Sequence, residues 1–241
     1  VAIEDVEPHH VARYLDEHPH KTAANRDKAV LSAVYSYALR RGLATRNPCR
    51  EIRRHTERRR ERYVTDEEFL AVRALAPEVL AVAMDLAYLT ARRQGELLAL
   101  RWGNVTDEGI QVRTSKGGRP VIIERSPALD AVLDRARALP ANQVSSVYVI
   151  CTQRGEPYTA NGLRSAWNRT RDKALKRELI QEAFTFHDIR AKALTDYNER
   201  GEDAQALAGH RSRSTTEIYL RSKTLQKVRP LASPGPTRKG E

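Results

Sequence analysis

The chain has 241 residues, 40% hydrophobic and 30% charged, with 42 Lys and Arg against 31 Asp and Glu, a formal net charge of +11. That balance excludes an acidic disordered chain and points to a globular protein of one or two domains with a polyanionic partner, nucleic acid before membrane. The most apolar run, residues 79–89, is broken by Asp85 and too short for a bilayer, no signal-peptide pattern opens the chain, and the isolated Cys49 and Cys151 read as reduced thiols, not as a disulfide framework or zinc site.

The first fifty residues read as helices. Pro8 suits a first helical turn, with a helix over 10–17. Residues 22–41 carry Val30, Ala33, Val34, Tyr37 and Ala38 at helical spacing, Gly42 stands where a C-terminal cap belongs, and Asn47-Pro48 breaks the chain. His9, His10, His18 and His20 lack accompanying cysteines and read as exposed helix-end residues before metal ligands. Residues 50–62 hold seven Arg against three Glu, and read equally as a solvated linker or as a strap on phosphates.

A second domain begins sharply. Thr65-Asp66-Glu67-Glu68 is a capping box, with Val64 and Phe69 as its hydrophobic staple. Pro77 opens a buried helix through residue 89, and a third helix covers 94–102. Residues 110–113 and 121–123 read as strands of a hairpin with Lys116 near its tip. Ser126-Pro127 starts a helix, 147–151 reads as a short strand, and Thr159 caps a helix carrying Trp167. Helices over 187–200, 203–208 and 215–225 follow, with Gly201 and Gly209 at the stops and Ser214-Thr215-Thr216-Glu217 as a second capping box placing Tyr219 in the first turns. The last ten residues are rich in Pro, Gly, Ser and basic residues, the composition of a disordered tail. The fold class expected is mainly α with a small antiparallel β-sheet.

The chain has no phosphate-binding Gly-rich loop followed by Lys-Ser/Thr, and its carboxylate clusters fall at helix starts or turns, so no converging set for a two-metal nuclease emerges. What remains is basic residues at particular positions. Arg93 opens a helix, with Glu96 one turn on; His187 and Arg190 share a helix face; His210 follows Gly209. Taken singly, these read as a surface ion pair, a helix-start His with an exposed Arg, and a His after a helix stop, while Tyr219 reads as a packing residue like most tyrosines.

In order and spacing, however, Thr90-x-x-Arg93-x-x-Glu96-Leu97, the hairpin Lys116, His187-x-x-Arg190, Gly209-His210 and Tyr219 nine residues later resemble the tyrosine recombinase, or phage integrase, family. The resemblance implies a helical core-binding domain at 1–49, short for the family and expected to be N-terminally incomplete, an Arg-rich linker at 50–63, a catalytic domain at 64–231 and a tail at 232–241. It implies site-specific DNA recombination through a 3′-phosphotyrosyl intermediate, with Tyr219 as nucleophile, Arg93 and Arg190 on the non-bridging oxygens, His187 as first candidate for the base, His210 as a further donor or proton carrier, and Lys116 protonating the departing 5′ oxygen. Guanidinium charge stands in for metal and one phosphate ester replaces another, so neither metal nor ATP is expected. Arg53, Arg54, Arg58, Arg59, Arg60 and Arg62 are the expected phosphate contacts of the linker. The implied partners are double-stranded recombination sites, three further copies of the chain in a tetramer on DNA, and a DNA-bending accessory protein, in a cytoplasmic, nucleoid-associated setting with no membrane partner. Residues 220–231, with Leu225, Val228 and Leu231, pack either on a neighbouring subunit or at home. The sequence departs from the family at Ala91, Ala191 and Ala208, where Gly, His and Leu are usual. A type IB topoisomerase is the alternative enzyme, disfavoured by Gly209-His210 and Asn47-Pro48; a catalytically inactive DNA-binding remnant is the alternative outside catalysis.

Overall fold

The computed structural model describes residues 2–57, 61–112, 120–140 and 146–221. The chain divides into two compact units, residues 1–60 and 61–241.

In the first unit a 3₁₀ turn at Ile3–Asp5 leads to α1 (Pro8–Glu17), with Pro8 in its first turn, and α2 (Lys21–Arg40). Gly42 lies just past α2 at φ +69°, a left-handed stop that glycine adopts without a Cβ penalty. The two helices pack together and bury Val11, Leu15, Ala24, Tyr35 and Ala38. Of the periodic apolar set on α2 only Ala38 is buried; Val30, Val34 and Tyr37 are 65%, 49% and 52% exposed. The helical spacing was legible, but a helix pair covers one stripe of each partner, and α1 covers another one. Residues 55–57 are strapped to this pair. Buried Asn25 donates to the His55 carbonyl at 2.9 Å and to Glu57 Oε1 at 2.8 Å and accepts the His55 N–H at 2.9 Å. Arg53 and Arg54 remain exposed beside this strap, while Arg58, Arg59 and Arg60 lie outside the described residues.

In the second unit Thr65 caps α3 (Asp66–Ala74) through both bonds of the expected box, Glu68 N–H to Thr65 Oγ1 at 3.3 Å and Thr65 N–H to Glu68 at 3.1 Å, over buried Val64 and Phe69. α4 (Glu78–Thr90) follows Pro77 and is buried on nearly every side. α5 (Gln94–Leu98) is shorter than expected, because the chain tightens into a 3₁₀ turn at Trp102–Asn104. β1 (Gly109–Val112) and β2 (Val121–Glu124) pair antiparallel, Gly109 opposite Glu124 and Val112 opposite Val121. A Cβ on Gly109 would come within 2.0 Å of the Ile123 carbonyl oxygen, so only glycine fits. The hairpin tip with Lys116 lies outside the described residues.

Ser126 caps α6 (Pro127–Arg137) and Thr159 caps α7 (Ala160–Lys176), each accepting the N–H three residues on. The strand expected at 147–151 is instead a pair of isolated bridges, Arg101 with Tyr148 and Cys151 with Pro157. Its neighbour on one side is the turn at 100–102, which offers two backbone bonds before curling away. α8 (Phe186–Glu199) and α9 (Ala204–Ala208) fall where expected. The last element differs: α10 (Arg213–Glu217) starts from Ser212, not Ser214, and ends before Tyr219, which lies in the following turn. The expected helix beyond residue 221, residues 222–231 of the 220–231 segment and the tail lie outside the described residues.

α4 is the axis of the core, packed by α8 and α6. Trp167 of α7 meets Phe184 and Phe186 edge-on at 5.2 and 5.6 Å, which seats the start of α8 against the core. The architecture is mainly helical with one small antiparallel sheet, as expected. Among the described residues no helix is long and apolar enough to cross a membrane.

Candidate active site

Three short-range devices aim the site residues. At the start of α8 the Thr185 N–H and hydroxyl both donate to Asp188, at 2.8 and 2.7 Å. With Phe186 turned into the core, His187 faces outward and Arg190 faces inward. Arg190 is 1% exposed, against the surface Arg that the sequence alone suggests. At the end of α4, Ala91 adopts the left-handed region at φ +49° and turns its carbonyl to Arg190 Nη1. Glycine would adopt that conformation more readily than alanine. At the end of α9, Gly209 at φ +64° delivers His210, whose N–H and carbonyl are both held by Gln205 at 3.1 Å.

The predicted Arg93, Arg190, His187, His210 and Tyr219 come together. Arg93 donates its backbone N–H and its Nη1 to the two oxygens of Glu96, each at 3.1 Å, and its Nη2 lies 3.4 Å from His210 Nε2. Arg190 Nη2 lies 2.9 Å from the same nitrogen and 3.3 Å from the Ala208 carbonyl. Since both guanidiniums donate to Nε2, that nitrogen is the acceptor, and Nδ1–H donates to Thr216 Oγ1 at 3.0 Å. The Tyr219 ring lies 5.2 Å from the Arg190 guanidinium, 5.5 Å from His210 in a stacked arrangement and 5.5 Å from His187 edge-on.

The electrostatics are lopsided. Arg92 is also buried, donating to the Thr90 carbonyl at 3.0 Å and to that of Leu207. Three guanidiniums therefore converge near one carboxylate, Glu96. Burial followed by the Arg93 and Arg92 charges pulls Arg190 down to about 10. Burial and the Arg190, Arg93 and Arg92 charges pull His210 down to about 4, so its imidazole is neutral at physiological pH. Burial alone would raise Glu96, but the Arg93 N–H and the Arg93 and Arg92 guanidiniums hold it below the usual range. Arg190 Nε and Arg92 Nη1 are buried without a hydrogen-bond partner. Such a site is short of acceptors, and an anion with several oxygens, such as a phosphodiester, supplies them beside a phenol.

Two residues past Arg190, Lys192 is equally buried and fully satisfied. Its ammonium bonds Tyr63 at 2.7 Å, Asp196 at 3.0 Å and Asp66, and Asp196 also accepts from Tyr63 at 2.5 Å and Tyr88 at 2.8 Å. The spacing of Lys192 and Asp196 is the sequence signal that could have found this cluster. Arg92, Gln205, Thr195 and Thr216 carried no such signal. Of the linker arginines, Arg62 is engaged within its own unit, with Glu68 and, at 2.8 Å, Glu182, its guanidinium 5.7 Å from the Phe184 ring centre. Lys116 lies outside the described residues.

Residues 66–226 match the model of the phage integrase family. The chain is 27% identical over 218 residues to the integrase of Enterobacteria phage 434, covering 86% of this chain and 60% of that protein. The structure is similar to that of a lambda integrase dimer bound to a COC′ core site, with TM-score 0.77, 25% identity and coverage of 95% of this chain and 85% of that one. It is also similar to a lambda integrase tetramer bound to a Holliday junction, with TM-score 0.71, 25% identity and coverage of 87% and 65%. The chain spans 60% of the length of the phage 434 and phage lambda integrases it matches.

Proposed function

Since the chain belongs to the phage integrase family, we propose that it is a site-specific DNA recombinase that cleaves and rejoins strands through a phosphotyrosyl intermediate on Tyr219. The observation that carries this reading is the contact of the Tyr219 ring with Arg190, His187 and His210 within one site, in surroundings that favour an anion.

In this reading the scissile phosphate enters between Arg190 and Arg93 and takes up buried donors that now lack acceptors. The two guanidiniums stabilise charge that grows on the non-bridging oxygens. His187, edge-on to the ring, receives the phenolic proton. Neutral His210 orients both guanidiniums through Nε2 and remains unprotonated while they carry the charge. Lys116 protonates the departing 5′ oxygen. The phosphorus–oxygen bond to that 5′ oxygen breaks as the bond to Tyr219 Oη forms; attack by another 5′ hydroxyl reverses the step on a new strand. No ATP is consumed, because one ester is exchanged for another.

At the level of the whole protein we propose residues 1–49 as a DNA-clamping helical unit, 50–63 as a linker whose Arg53 and Arg54 face phosphates with Arg58, Arg59 and Arg60, and 64–231 as the catalytic domain. The assembly is a tetramer on paired duplexes, with a bending protein as accessory and the nucleoid as its place of action. Among the described residues, Arg62, paired with Glu68 and Glu182, is less available as a phosphate contact than the exposed Arg53 and Arg54.

The test is covalent capture. Nicked duplexes, from DNA flanking the gene and from a randomised pool, trap the intermediate because the cleaved strand loses its 5′ hydroxyl. The expected result is a protein–DNA adduct that disappears in Tyr219→Phe. Salt-dependent binding without an adduct, log–log slope about −0.9 per phosphate, would leave a DNA-binding remnant. Relaxation of supercoiled plasmid without site preference would instead favour a topoisomerase.

A further inference from the structure

Tyr219 does not stand on a helix of its own. It occupies a turn after α10, and something must hold that turn against α8. Two buried threonines touch it. Thr195, 3% exposed on α8, donates its proton to the Ala191 carbonyl one turn back, at 2.8 Å. That leaves its lone pairs aimed away from the helix axis. One of them accepts the Arg221 N–H at 3.0 Å, and the Tyr219 carbonyl lies 3.4 Å from the same oxygen. Thr195 thus touches the backbone of the tyrosine turn on both sides of Leu220. Thr216, 4% exposed on α10, accepts from His210 Nδ1 at 3.0 Å through its side chain, and from the Tyr219 N–H at 2.8 Å through its carbonyl.

We propose that Thr195 and Thr216 are positioning residues for the nucleophile, Thr195 latching the Tyr219 turn onto the helix that carries Arg190, and Thr216 fixing the orientation of the His210 ring whose Nε2 faces both guanidiniums. Neither hydroxyl touches the reacting atoms. Arg190 and Thr195 lie five residues apart on α8, so the latch sets the distance between guanidinium and phenol on one rigid element. Through Thr216, the same turn is tied to the orientation of the imidazole. The proposal rests on the reading of Tyr219 as nucleophile, but its geometry is testable without DNA.

The experiment compares Thr195→Val and Thr216→Val with Thr195→Ser and Thr216→Ser in the full chain. In the DNA-free protein, amide exchange at Arg221 is expected to speed up about tenfold in Thr195→Val, one hydrogen bond's worth, and to return in Thr195→Ser. The Nδ1–H of His210 is expected to lose its hydrogen-bonded chemical shift in Thr216→Val and regain it in Thr216→Ser, the tautomer being held in both by the guanidiniums on Nε2. Adduct formation with the randomised nicked pool is expected to slow about tenfold in each valine variant, with unchanged DNA affinity and recovery in each serine variant. Wild-type exchange and wild-type His210 resonances in the valine variants overturn the latch whether or not the protein cleaves DNA. So does an unslowed adduct rate. A wild-type protein that forms no adduct, while exchange and resonances shift as expected, overturns the nucleophile reading and leaves the backbone latch standing as a structural contact alone. Should a valine variant fail to fold, the serine variant and Thr195→Ala decide, since only loss of the hydroxyl is expected to free the Arg221 amide.

Discussion

Arg190 and Lys192 are two residues apart on α8, each 1% exposed, and their surroundings differ in nearly every respect. Lys192 is enclosed by two carboxylates and two phenols, and its partners hold it charged above the ordinary lysine value although burial alone opposes this. Arg190 has two carbonyls and a neutral imidazole as hydrogen-bond partners, an orphaned Nε, and two further guanidiniums nearby. Burial does not separate these two cations. What separates them is whether the protein itself completes their hydrogen bonding. The completed one ties elements together, and the incomplete one is kept for something that arrives.

Five variants break or sharpen that contrast. Arg190→Met is expected to cut the rate of adduct formation about 10²–10³-fold, the cost of removing one preorganised donor. Its melting temperature should move less than that of a Lys192 variant. A cleavage rate within threefold or so of the wild type would mean that Arg190 is structural too. Lys192→Met is expected to cost about 3 kcal/mol in urea unfolding, because Asp196 stays buried with its positive partner gone. A loss under about 1 kcal/mol would show that the two phenols suffice for Asp196.

The two clusters also fail at opposite ends of the pH scale. His210 is depressed in the fold from 6.5 to about 4, so the unfolded chain binds the extra proton in that window. Stability is therefore present above about 6.5 and lost as the pH falls towards 4. Glu96 and other carboxylates titrate nearby, so the difference between wild type and His210→Gln isolates the effect, and no difference in slope over that window would contradict it. Tyr88, raised from 10.0 to about 12 by burial and by Asp196, binds its proton more tightly when folded. Its contribution is full below pH 10 and lost between 10 and about 12, a limb that Tyr88→Phe should flatten. The smallest effect belongs to the strained end of α4. Ala91→Gly is expected to gain about 0.5 kcal/mol in the same unfolding assay, left-handed strain relieved against a looser unfolded chain. A loss would mean that the buried methyl of Ala91, packed with Ala193 and Leu194, matters more than its backbone angle.

Much of this contrast was legible from residues alone, and some of it was not. The Thr65 box and the Arg93–Glu96 pair follow from spacings of three residues, which the helix geometry converts directly into contacts, while His187 and Arg190, at the same spacing, both reach the Tyr219 ring, one from an exposed and one from a buried position. The order of the polar residues along the chain carried the resemblance. The inward turn of Arg190 was not legible, because it depends on Ala91 and Ala208 carbonyls brought from other elements. The early end of α10 was hidden for a similar reason: Thr195 and Thr216 hold the Tyr219 turn by bonds that no local pattern announces. In α2 the periodicity identified a helix but not which of its apolar stripes found a partner.

The lysine enclosure has a consequence for where this unit can be cut. Tyr63 lies ahead of the first helix of the unit, yet it bonds both Lys192 and Asp196 near the middle of α8. A protease that trims the chain just before Val64 would remove that phenol and, with it, the Arg62 bridges to Glu68 and Glu182. A fragment beginning at Glu61 should therefore melt higher than one beginning three residues later, although both keep every residue proposed for cleavage. The practical edge of the folded body is set by an aromatic ring upstream of its first helix.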